Sequence, residues 1–138
     1  MTKALHRGSI LFRLLLLAYF AAVAYLCFGH FDSMPQISRT LFGFPTDKVI
    51  HFLMFLPFPV LLFLAVDRYT TKPWHSILMM CLIFLTGCIL AGGTEYIQGK
   101  LTYRSCDIMD FRADAIALAI SSLVVFIIDI IEQLRDED

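Results

Sequence analysis

The stretch Ile10–Phe28 reads ILFRLLLLAYFAAVAYLCF, and Arg13 is its one charged residue. The hydrocarbon core of a bilayer is about 30 Å thick and takes about 20 apolar residues of helix to cross. Ile10–Phe28 meets that length. Three more windows do so: about Val49–Val66, about Ile77–Gln98 and about Phe111–Ile131. The third is interrupted by Glu95. The fourth carries Arg112 and Asp114 near its start and Asp129 near its end. Backbone groups in lipid must be satisfied within their own segment, so runs of this length are helices. A transmembrane barrel would instead show short alternating segments. The predicted fold is all-α: a polytopic membrane protein with a bundle of four transmembrane helices. A short interfacial turn or helix is expected in the first loop.

Composition agrees. The chain has 138 residues, 59% of them hydrophobic, and a mean hydropathy of +0.75. That is too apolar for an ordinary soluble domain. One unit over residues 1–138 is expected at this length. A formal net charge of −1 offers no basic field for nucleic acid. The first window follows KALHRGS, as a signal peptide would, but its apolar run is long and no small-residue cleavage site closes it. It is read as a retained helix. Cys27, Cys81 and Cys88 fall inside apolar windows, where a thiol acts as a small hydrophobe. Cys106 alone lies in a loop, so no disulfide framework is expected.

With four crossings, the start of the second helix, the end of the third and the start of the fourth share one membrane face. Lys3, Arg7, Arg13, Arg68, Lys72 and Arg135 fall on the opposite side; Arg39, Lys48, Lys100, Arg104 and Arg112 fall on this one. The bias is small, but the basic trio beside the first helix favours cytoplasmic termini. Tyr69 and Trp74 in the second loop suit a headgroup belt.

The unusual polar residues all fall at the shared face. Lys48, His51, Phe52 and Phe55 stand at i, i+3, i+4 and i+7, one helical face, with Asp47 beside them. Thr46 or Asp47 suits an N-cap. Glu95 and Gln98 stand at i, i+3 near the end of the third helix. A carboxylate inside a membrane helix usually faces the bundle interior and marks function. Gly92 and Gly93 before it, and Gly87 with Ala91, permit close helix approach. Asp107, Asp110 and Asp114 share one face of the fourth helix. Three like charges there need cations: Arg104, Lys48, Arg112, protonated His51 or a metal. Each group has a plainer reading, as a cap, a snorkelling Lys, a helix end at the interface, or acids favoured by the macrodipole. Their conjunction on one face predicts a polar pocket lined by the second, third and fourth helices. Pro57 and Pro59 remove N–H donors just beyond it, which predicts a kink.

The segments FPTDKVIHFLMF, TEYIQ and RSCDIMDFRAD, in that order, resemble the VanZ-like family of small bacterial membrane proteins. The family pattern is a DK–xx–HF segment, a later ExxQ, and an Arg-rich turn leading to D-x-x-x-N and a small residue. It maps onto Asp47, Lys48, His51 and Phe52, onto Glu95 and Gln98, and onto Arg104 and Asp110. The likeness spans about residues 44–119. Asp114 stands where the family commonly has Asn, and Ala117 where it often has Gly. The resemblance implies a bacterial inner-membrane protein of the cell envelope, with one named member associated with resistance to glycopeptide antibiotics such as teicoplanin. No reaction attaches to the motif.

These residues define several functional readings. In the first, the pocket binds or modifies a lipid-linked envelope ligand, or an antibiotic that recognises one. Lys48 and Arg104 would hold its anionic groups, and His51 would be the base, oriented by Glu95 or Asp110. No distinctive nucleophile accompanies it among Thr94, Ser105 and Cys106, so binding and catalysis both stay open. In the second, the polar residues only knit the helices together or engage a protein partner. A proton relay lacks ionisable groups through the middle of the bundle. A divalent ion on His51, Glu95, Asp107 and Asp110 would be a loose pattern, and no cofactor is expected. The ligand-facing set is therefore Asp47, Lys48, His51, Glu95, Gln98, Arg104, Asp107, Asp110 and Asp114.

Overall fold

A computed structural model describes residues 10–29, 40–41, 43–66, 72–102 and 106–136. The chain order is α1 (Ile10–Phe28), β1 (Thr40–Leu41), β2 (Phe44–Pro45), α2 (Thr46–Phe55), α3 (Phe58–Ala65), α4 (Pro73–Gln98) and α5 (Ile108–Asp136). α2 and α3 together form one span, so four helical stretches among the described residues are long and apolar enough to cross a membrane. The fold is an all-α four-helix bundle, and the protein is a multi-pass membrane protein.

α4 and α5 run beyond their apolar windows because their ends are set by backbone chemistry rather than hydropathy. α4 starts at Pro73, after Lys72 in extended conformation. Proline suits the first turn, where its missing N–H leaves no bond unmade. α5 starts at Ile108, one residue after Asp107, whose Oδ1 accepts the Met109 N–H at 2.8 Å as an N-cap does. At 29 residues α5 is about 44 Å long and exceeds the hydrocarbon core.

The second span is interrupted at Leu56–Pro57, as its two prolines predict. Both residues keep helical dihedrals, so the chain bends without reversing. The Tyr19 hydroxyl of α1 donates to the Met54 carbonyl at 3.0 Å. A neighbouring helix thus serves the last turn before the prolines, as lipid burial requires. The expected side-chain cap on α2 is not made: Pro45 holds the N-cap position and caps nothing. In the first loop, the described part is a two-residue antiparallel ladder pairing Thr40 with Pro45 and Leu41 with Phe44. Gly43 has φ 83°, which a side chain would resist. The rest of that loop, where an interfacial helix was expected, lies outside the described residues, as does Tyr69.

α5 is the central element, packed against α2, α3 and α4, while α1 lies mainly on α3. Phe55, Phe58, Leu118 and Cys27 are wholly enclosed. Leu17, Leu82, Ile89, Ile116 and Leu123 point outward, as lipid-facing residues do. Lipid is as apolar as a Leu side chain, so close packing rather than hydrophobic gain decides which faces meet. The buried stripe of α4 is Ser76, Met80, Ile83, Gly87, Ala91, Glu95 and Gln98. Its small centre lets α5 approach: a Cβ on Gly87 would lie 2.5 Å from Leu118 Cδ2. Gly92 and Gly93 do not have this role. A Cβ on Gly92 would meet only Phe111, at 3.8 Å, and on Gly93 nothing within 4 Å. They lie off the buried stripe, so proximity in sequence to Glu95 did not place them in the seam.

Candidate functional site

The helix spacings bring α2, α4 and α5 together at one face as a two-layer polar column. Lys48 forms the outer layer. Its Nζ donates to Asp107 Oδ2 at 2.7 Å, Asp110 Oδ1 at 2.8 Å and Asp47 Oδ2 at 3.3 Å. An ammonium has three protons, so all of its donors are matched. Asp47 is exposed and Asp107 partly so, and this layer opens outward. The Lys48 hydrogen bond, followed by the Met109 N–H, holds the Asp107 carboxyl below the usual carboxylate range.

One helical turn deeper lies His51, 6% exposed, with Glu95 at 4% and Asp114 at 0%. His51 Nδ1 stands 3.2 Å from each Asp114 oxygen. Glu95 Oε1 is 3.9 Å from the same nitrogen. On the other side of the ring, Nε2 is 3.8 Å from Asp110 Oδ2. Asp110 thus links the layers, with one oxygen toward Lys48 and the other toward His51. Glu95 Oε2 accepts the Asp107 backbone N–H at 3.0 Å and ties the end of α4 to the start of α5. The residue that orients His51 is therefore Asp114, rather than Glu95 or Asp110. Asp114 and Asp110 are four apart on one face of α5, but only the deeper one reaches Nδ1.

Of the residues singled out in the sequence, Asp47, Lys48, His51, Glu95, Asp107, Asp110 and Asp114 converge. Gln98 is buried but turns away, donating to the Cys27 carbonyl at 3.1 Å and so serving the end of α1. Arg112 is exposed and points its Nη1 at Met109 Sδ, 3.4 Å away. Arg104 lies outside the described residues. The four cysteines are all free. Comparison of the chain with protein-family models, with curated proteins and with solved structures gave no match.

A second polar cluster lies at the opposite face. Ser76 Oγ donates to Asp129 Oδ2 at 2.6 Å, and Gln133 Nε2 reaches both, at 2.6 and 3.0 Å. Ser76 and Asp129 are fully buried. In sequence that end is plain beside the shared face. The available signal was Asp129 and Gln133 at i, i+4 on α5, with Ser76 in the first turn of α4. Ser76 carries no charge, and its partner is 53 residues away.

The main cluster is strongly acidic. Among the described residues, five carboxylates face one ammonium and one imidazole. Such a set can bind protons or cations, and Lys48 has no donor free for an anion.

Proposed function

We propose that this protein is a bacterial cell-membrane protein of the VanZ-like type that binds the polar head of a lipid-linked envelope ligand at the α2–α4–α5 column. Both termini would lie in the cytoplasm and the column at the extracytoplasmic face. The association with glycopeptide resistance belongs to the same proposal. The observation that carries it is the convergence of ionisable side chains from three spans into one column. That column runs from exposed Asp47 to fully enclosed Asp114. Charged groups inside a membrane bundle are costly and are usually retained for function. Its depth of one helical turn matches the headgroup layer, where a lipid-linked ligand presents its polar part.

A second reading has an observation of its own. Lys48 bridges α2 to α5 through Asp107 and Asp110, which is what a purely architectural cluster would do. The two readings separate by mass spectrometry of the chain released from native membranes. His51→Ala and Glu95→Gln are expected to lose a co-purifying lipid at unchanged protein abundance. Loss of lipid only in proportion to lost abundance would leave the architectural role standing and refute the binding one.

A further inference from the structure

The inner layer has a feature that a purely hydrogen-bonded cluster would avoid. Glu95 Oε1 is buried and has no hydrogen-bond partner among the described residues. Two other buried side-chain oxygens there share this state, on Ser122 and Gln133, and neither belongs to an ionisable group. A buried, unsatisfied carboxylate oxygen is expensive and calls for a missing partner. This oxygen stands beside His51 Nδ1, which also faces both Asp114 oxygens.

We propose that His51 Nδ1, Glu95 and Asp114 form a binding site for a divalent metal cation. One donor atom from each residue lies within 4.8 Å of the others. The separations from Nδ1 are 3.2 Å to Asp114 and 3.9 Å to Glu95. Around a metal with bonds of about 2.1 Å, tetrahedral donors are roughly 3.4 Å apart. The three side chains therefore already bracket the edge of a coordination sphere, and small rotations close it. Two carboxylates and a neutral imidazole carry the charge that a dication balances. One nitrogen with carboxylate oxygens and no thiolate suits zinc, manganese or ferrous iron rather than a soft cuprous ion.

The surroundings fit this use. With Nδ1 on the cation, Nε2–H points toward Asp110 Oδ2 at 3.8 Å, the carboxylate that metal-bound imidazoles commonly engage. Asp47 and Asp107 at the mouth place negative charge on the approach. The structure regroups the donors imagined from sequence: Asp107 and Asp110 sit with Asp47 around Lys48, and Asp114 replaces them beside His51. The inference rests in part on the headgroup reading and gives it a chemistry. A column of carboxylates repels phosphate, while a bound dication reverses the local charge and offers phosphate or carboxylate oxygens a contact.

The test uses the full chain in lipid nanodiscs, stripped with chelator and titrated separately with Mn2+ and Zn2+ by calorimetry. One of the two ions is expected to bind at one equivalent per chain. Asp110→Asn is expected to weaken it by about 10- to 100-fold, the usual effect of losing a partner of a metal-bound imidazole. His51→Ala and Glu95→Gln are expected to weaken it further. Thermal unfolding of the wild type with and without metal supplies a readout independent of any variant's folding, and the metal is expected to raise the midpoint. Absence of stoichiometric binding overturns the proposal, as does binding that survives both His51→Ala and Glu95→Gln. If no metal binds at one equivalent and lipid is still retained, the cation site is refuted and the headgroup reading stands. If metal binds at one equivalent and no lipid is ever retained, the headgroup reading fails and the cation site stands.

Discussion

Substituting Gly87 tests the contact that sets the distance between α4 and α5. In Gly87→Ala the new methyl would sit 2.5 and 2.9 Å from the two Leu118 methyls and 3.1 Å from Phe58 Cε1. Carbon atoms prefer about 3.5–4.0 Å, so the overlap is about 1 Å. Leu118 and Phe58 are both fully enclosed, which leaves Leu118 no free direction to rotate. Overpacking of this kind costs about 1–3 kcal/mol. Replacing a helical glycine by alanine returns up to about 1 kcal/mol of propensity, which would mask part of the cost. Gly93→Ala on the same helix supplies the correction, because its methyl meets nothing within 4 Å. The difference between the two variants should be about 1–3 kcal/mol, with Gly87→Ala the less stable. Steric trapping in bicelles measures it. Leu118→Ala opens space for the added methyl, so the double variant should be more stable than the sum of singles by about 0.5–3 kcal/mol. Equal stability of Gly87→Ala and Gly93→Ala, or additivity within about 0.5 kcal/mol in the cycle, would refute this account of the seam. Glu95 lies two turns from Gly87 on the same stripe, so Gly87→Val should also weaken Mn2+ or Zn2+ binding without touching a ligand.

Asp107 is held below the usual carboxylate range, chiefly by Lys48. Its contribution to stability is present above the ordinary Asp value of about 4 and is lost as pH falls through the depressed folded value. Carboxyl NMR should find it titrating low in the wild type and moving partway back in Lys48→Met, where the Met109 N–H remains; a wild-type value at or above the ordinary range would contradict the Lys48 contact. Cys106 is exposed at the face of the column. A membrane-impermeant maleimide should label it in intact cells, and labelling only after permeabilisation would move the proposed ligand to the cytoplasmic leaflet. Ser76→Ala removes the donor to Asp129 at the far face and should lower stability by about 0.6–1.7 kcal/mol, within the range of interhelical hydrogen bonds in membranes. It should leave metal affinity unchanged, and a parallel fall in affinity would tie the two ends of the seam together.

Legibility in the sequence followed the type of interaction. The four spans were readable because apolar length alone makes a helix in lipid. The shared face of Lys48, His51, Glu95 and the α5 carboxylates was readable because alternating crossings fix which helix ends meet. Which carboxylate meets which cation was not readable. Asp110 and Asp114 have equivalent helical spacing, and only the depth of His51 assigns Asp114 to Nδ1 and leaves Asp110 to Lys48. Gln98 was misdirected for a related reason: it shares a face with Glu95, but the end of α1 lies nearer, and no pattern reports a last-turn carbonyl on another helix. Ser76 was invisible because a neutral hydroxyl in an apolar run becomes informative only when its partner is known.

The two polar ends of the α4–α5 seam also bear on which of them is architectural. Two apolar helices in lipid have little to fix their sliding register, since any face buries equally well against lipid or protein. Ser76, Asp129 and Gln133 form a buried hydrogen-bonded lock at one end, and Gly87 with Leu118 fixes the spacing in the middle. Asp114 and Asp129 are 15 residues apart on α5, about 22 Å of helix. No ionisable residue of α5 lies between them. That gap argues against a continuous proton path and separates the two clusters energetically. With register and spacing already set elsewhere, the packing of α4 on α5 does not require His51, Glu95 and Asp114 to be charged. Apolar residues there would hold the helices at least as well, because paired buried charges seldom outperform close packing. Their presence, with one carboxylate oxygen left unmatched, is the arrangement expected of residues kept for a ligand.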